Sequence, residues 1–127
     1  MVILDTNIII DHLRQAPQKM SVLDKIHRQN TQRQLALSTI SIQELYVGAS
    51  TRNEKAEQLL LATLGPLKIL PYTYEVAQLA GEIARDLNRP IELAEAAIAA
   101  TAIVNNAHLL TQNIKDFLGI NKLLLLE

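Results

Sequence analysis

Four acids spaced widely along the chain, Asp5, Glu44, Glu95 and Asp116, are the residues best suited to chemistry. Asp5 stands inside an apolar run, MVILDTNIIID, between Val2-Ile3-Leu4 and Ile8-Ile9-Ile10. A carboxylate at the end of such a run loses hydration unless a cation or several donors compensate it. Singly, each acid has an ordinary explanation. Asp5 can cap a helix, and Ser41 with Glu44 has the S-x-x-E spacing of a capping box. Glu95 suits a positive helix start, and Asp116 reads as a solvated surface charge. Jointly at one edge of a fold, they would repel and raise one another's pKa unless cations neutralised them. Carboxylate oxygens are the donor set for Mg²⁺ or Mn²⁺ rather than Zn²⁺. Together these residues imply a divalent-metal site.

The elements flanking these acids are predicted to carry them to one edge. An apolar strand ends at Asp5, and a helix follows over Thr6–Arg14, broken at Ala16-Pro17. A second helix spans roughly Lys19–Asn30, and the polar QNTQRQ stretch at 29–34 is a loop. A strand at 35–39 leads into a helix from Ser41. Glu54–Leu64 is a further helix, stopped by Gly65-Pro66. A strand at 67–70 and a helix over Thr73–Leu87 follow, the latter ended by Asn88-Arg89-Pro90. The Ala-rich helix Leu93–Asn105 precedes a strand at 107–111, a turn at Asn113–Phe117 and a last strand at Lys122–Leu126. Strands alternating with helices predict a parallel sheet covered on both faces. Ligands collect outside the carboxyl ends of such strands. Asp5 ends the first strand, Glu44 lies in the first turn after the second, Glu95 begins the Ala-rich helix, and Asp116 follows the fourth strand.

Length and composition narrow the classes. The 127 residues form one domain, 1–127, large enough for a core without staples. Aromatic content of 3% with no Trp disfavours a base-stacking platform. A net charge of −1 gives no broad basic face for nucleic acid. The lack of cysteine excludes disulfides and thiolate metal sites. No apolar run nears the ~20 residues that span a bilayer, and no signal peptide is evident, so a cytoplasmic protein with no membrane contact is expected. His12, His27 and His108 lack a metal-ligand spacing, and no convincing Ser–His–Asp arrangement occurs. Arg14, Arg52 and Arg85 are the cations considered for guiding a polyanion.

The stretches VILDTNIIID (2–11), STISIQELYVGA (38–49), LAEAAIAATA (93–102) and LLTQNIKDF (109–117), in this order, resemble the PIN-domain family and within it VapC-type toxins of toxin–antitoxin pairs. The resemblance implies a three-layer α/β/α sandwich with a five-stranded parallel sheet. It also implies an endoribonuclease dependent on Mg²⁺, with Mn²⁺ able to substitute, acting on single-stranded or structured RNA. It assigns Asp5, Glu44, Glu95 and Asp116 as metal-binding and catalytic residues, with Thr6, Asn7, Thr111 and Asn113 as supporting ones. A homodimer and a small antitoxin follow from the same resemblance, an antitoxin Arg or Lys pairing with the carboxylates. The Ala-rich helix and VAQLAGEIARDL are the surface expected to dimerise. One position departs: Glu95 stands where the family usually has Asp. Its extra methylene matters because misplacement of about 1 Å can cost roughly 100-fold in rate, and Glu92 is the neighbouring substitute. A catalytically weakened, antitoxin-binding protein is therefore the alternative. A phosphatase built on D-x-D-x-T is disfavoured, since its third position here is Asn7.

Overall fold

Val2, Ile3 and Leu4 are wholly buried because β1 (Val2–Leu4) runs through the middle of the sheet. The computed structural model describes residues 1–15, 18–29 and 32–126. The expected break at Ala16-Pro17, the Asn30 end of the second helix and Thr31 of the following loop lie outside the described residues. β2 (Leu35–Ser38), β3 (Lys68–Leu70), β4 (His108–Leu110) and β5 (Leu124–Leu125) complete a five-stranded sheet in the order β3-β2-β1-β4-β5. Every pairing is parallel, with Ile3 opposite both Ala36 and Leu109.

Alternation along β1 splits the core into two faces. Val2 and Leu4 join Leu35 and Leu37 under α1 (Thr6–Arg14), α2 (Val22–Gln29), α3 (Thr39–Val47) and α4 (Glu54–Leu64), through Ile8, Leu23, Leu45 and Leu60. Ile3, Ala36 and Leu109 face the other way, onto Ile98, Ala99 and Ala102 of α6 (Leu93–Val104). α5 (Tyr74–Asp86) packs outside α6, where Val76 and Ala80 meet Ala96 and Ala100. The architecture is the expected three-layer α/β/α sandwich, and the elements follow the predicted order.

The helices begin where the sequence supplies caps. Asn53 accepts from the Ala56 N–H and Thr73 from the Val76 N–H, at 2.9 and 3.2 Å. One start differs from expectation. Ser41 and Glu44 form no capping box, because Ser38 at the end of β2 caps α3 instead, accepting from the Ile40 N–H at 3.1 Å. The helix therefore starts at Thr39, and Glu44 falls in its second turn rather than its first.

The alanines of α6 correct a second expectation. Ala96, Ala97, Ala99, Ala100 and Ala102 are all buried inside the chain, so they form no dimer surface. Their small side chains let α6 lie close against both the sheet and α5, and interiors at this density resist added volume. Ala100→Leu is expected to lower folding stability by about 1–3 kcal/mol through overpacking. A lowered midpoint in urea at unchanged slope checks this.

Candidate active site

The strand order reverses between β1 and β4, so a crevice opens outside their carboxyl ends. Asp5 enters it directly after β1, its N–H donating to the Leu110 carbonyl at 2.9 Å. Its Oδ1 accepts from the Thr6 N–H at 2.8 Å, and its Oδ2 accepts from the Thr111 hydroxyl at 2.7 Å. Asp5 thus caps α1 and also joins the two central strand ends. It is only 7% exposed. Burial pushes its carboxyl above the usual range, outweighing the two hydrogen bonds that pull it down, and the charges of Glu44 and Asp116 push it further up.

Thr6 draws Glu44 to the same edge. A hydroxyl has one proton to give, and Thr6 Oγ1 donates it to Glu44 Oε1 at 2.6 Å. The Ser41 hydroxyl, 2.8 Å away, then donates to Thr6 Oγ1. Glu44 itself is exposed, so its carboxylate is oriented from below and open above.

Asp116 arrives on a single 3-10 turn, Ile114–Phe117, whose Phe117 is buried in the core. Its N–H donates to the Asn113 carbonyl at 3.0 Å, and the Asn113 N–H donates to Thr111 Oγ1, also at 3.0 Å. Asn113 therefore supports the turn with its backbone. Asn7 Oδ1 accepts from the Gln112 N–H at 3.4 Å, tying α1 to the same loop.

Glu95 folds back on its own helix. Its Oε1 accepts from the Glu92 N–H at 3.2 Å, which uses the extra methylene to close the start of α6. Burial raises its carboxyl pKa above the usual range; the backbone bond lowers it, while a hydrogen bond and charge repulsion from Asp116 raise it further. Glu92 is exposed at the cap position. The structure so brings all four predicted acids to one edge, Asp5 with Glu44 and Asp116, and Asp116 with Glu95. Among the described residues no three acids or histidines converge closely enough to enclose an ion as they stand. Nor does any described Lys, Arg or His lie within ion-pair distance of the four; the ion pairs present are His12–Asp24 and Arg85–Asp86. The donor set suits a hard cation in its chemistry: all oxygen, all acidic, and none of it ion-paired among the described residues.

The proposed guiding cations lie elsewhere. Arg85 pairs with Asp86 at 2.7 and 2.8 Å in the last turn of α5, beside a cleft of about 330 Å³ that Ile103 and Lys122 also line. Arg14 closes α1, eight residues of helix, or about 12 Å, beyond its start. Arg52 follows the 3-10 turn Ala49–Thr51 after α3. One Ser–His–Asp trio does form, but Ser21 and Asp24 both approach the same His12 Nδ1, at 2.7 and 3.8 Å. Ser21 is buried and accepts from the Asp24 N–H, so the trio ties α1 to the start of α2. Sequence reasoning missed Arg89, whose guanidinium donates to the carbonyls of Asp116 and Leu118 at 2.9 and 2.7 Å. An Arg beside a helix-ending proline was its only signal.

A 3-2-1-4-5 parallel sheet with acids gathered at its switch point defines an α/β/α protein with an acidic site outside its central strands. The chain belongs to the PIN domain family, whose model matches residues 2–122. It is 32% identical to Ribonuclease VapC19 of Mycobacterium tuberculosis over 120 residues, 92% of each chain. It is 31% identical to Ribonuclease VapC2 of Rickettsia felis, covering 96% of this chain and 93% of that one. Its fold matches a chain of VapBC2 from Rickettsia felis, solved with a promoter DNA fragment, at a TM-score of 0.86 and 28% identity over 99% and 98% of the two chains. A chain of VapBC-1 from nontypeable Haemophilus influenzae gives 0.82 and 28%, over 100% and 98%.

The raised Asp5 pKa sets a stability test. The folded protein holds the Asp5 proton more tightly than the unfolded chain, so stability falls as pH rises from the usual carboxylate range through the folded value. With chelator present, Asp5→Asn should melt above wild type at pH 7, and the advantage should vanish as the pH falls below the unfolded value. Melting curves over that range check the sign.

Proposed function

We propose that this chain is an endoribonuclease dependent on Mg²⁺, with Mn²⁺ able to substitute, and the toxin of a toxin–antitoxin pair. The observation that carries the reading is the buried Asp5 carboxylate facing Glu44 and Asp116, with no Lys, Arg or His among the described residues forming an ion pair with any of them. The names of the relatives, Ribonuclease VapC19 and Ribonuclease VapC2, supply the substrate class.

Asp5, Glu44, Glu95 and Asp116 would hold the ion, which when bound supplies an activated water and charge stabilisation at the scissile phosphate. Asp5 is the fixed member, oriented by Thr111 and the Thr6 N–H. Glu44 is held by Thr6 and open to the crevice. Asp116 and Glu95 repel one another and share hydrogen-bonding reach, so a cation between them would relieve that strain. Thr6, Asn7, Thr111 and Asn113 would orient these groups through the hydrogen bonds they make at the strand ends. Glu95 keeps one oxygen on its helix start and has the other to offer, which is how a Glu would serve where Asp is usual.

The reading includes single-stranded or structured RNA as substrate, a small antitoxin as partner, a cytoplasmic setting and a homodimer. VapBC complexes among the structural neighbours support the antitoxin. No described helix is long and apolar enough to cross a membrane. With the α6 alanines buried, the dimer surface would draw on Tyr74 and Leu93, 85% and 79% exposed at the starts of α5 and α6.

Cleavage of total RNA with Mg²⁺, Mn²⁺ or EDTA tests the activity. Wild type should cut with either ion and stop in EDTA, and Asp5→Asn should lose at least about 100-fold in rate, as for a removed transition-state contact. Equal cleavage by wild type and Asp5→Asn would remove this reading.

A further inference from the structure

Arg89 lies outside every motif that carries the family resemblance, yet among the described residues it is the one cation whose hydrogen bonds reach the acidic edge. Its Nη2 donates to the Asp116 carbonyl at 2.9 Å and the Leu118 carbonyl at 2.7 Å. The last carbonyls of a helical turn have no partner within it, and the 3-10 turn Ile114–Phe117 ends at these residues. Arg89 therefore closes that turn as a side-chain cap. Phe117, buried in the core, anchors the same turn.

The place of Arg89 in the chain gives the contact its consequence. Residues 87–92 lead from the end of α5 to the start of α6, where Glu95 sits. One guanidinium thus fastens the segment delivering Glu95 to the turn delivering Asp116, across 27 positions of sequence. We infer that Arg89 is a positioning residue that sets the separation of Asp116 and Glu95 and so tunes the affinity of the acidic edge for a divalent cation. It binds backbone carbonyls and forms no ion pair with either carboxylate, which keeps both available as ligands. Both bonds leave the one Nη2 group, so a lysine ammonium has donors enough for the two carbonyls but carries them on a flexible stem in place of a rigid plane. The inference rests on the metal-site reading above.

Manganese titration followed by electron paramagnetic resonance, on the full chain without RNA, separates the two. Wild type should bind Mn²⁺ and Asp116→Asn should bind it much more weakly; if wild type does not bind, the metal-site reading itself falls. If wild type binds, Arg89→Met should raise the Mn²⁺ Kd by about 10–100-fold, the usual effect of losing an orienting partner. KM for RNA should stay near wild type while kcat falls. Arg89→Lys should recover only part of the affinity, and it serves alone should the Met variant be unfolded by circular dichroism. An Arg89 variant that is folded at the assay temperature, melts lower and still binds Mn²⁺ within twofold of wild type would reduce Arg89 to a structural clamp and overturn the inference.

Discussion

A carboxylate held in a nearly dry place at the end of the central strand is the constraint on which the rest of this structure depends. Asp5 is anchored through its backbone to Leu110 and through its side chain to Thr111 and the Thr6 N–H. These bonds lower the cost of burial without cancelling it, since the carboxyl remains pushed up. Neutral donors stabilise a buried anion less than a full opposite charge does. The remainder is what the proposed cation would balance.

The fold is arranged so that this imbalance is shared rather than isolated. Because β1 and β4 are neighbours at the reversal of strand order, residues near opposite ends of the sequence meet there. The buried alanines of α6 let that helix lie close to the sheet and place Glu95 at the same edge. Small residues in α6 and acids at its start therefore belong to one arrangement: bulkier side chains would lift Glu95 away from Asp116.

Glu95 shows how a departure from the usual residue is absorbed. A longer side chain overshoots if it projects straight out, but here it bends back to the Glu92 N–H and shortens its own reach. The same bond satisfies a donor at the helix start that would otherwise lack a partner. Capping and site geometry are not competing explanations at this position, nor at Asp5. In both places the hydrogen bond that stabilises the helix also aims the carboxylate.

The sequence by itself determined the layering, the strand and helix order and the identity of the four acids, because apolar periodicity, cap residues and Gly or Pro stops are local signals. It also marked Thr6, Asn7, Thr111 and Asn113, through their neighbours in the motifs. Tertiary structure alone decided that Ser38 rather than Ser41 starts α3, since the end of β2 fixes where the chain can turn into a helix. It alone turned the α6 alanines inward, because a small-residue stripe reads the same whether it packs on its own sheet or on another chain. It alone revealed Arg89, and the Thr111–Asp5 bond across 106 positions. A hydrogen bond between residues so far apart depends on where the sheet order brings two strand ends, and no local pattern of residues records that.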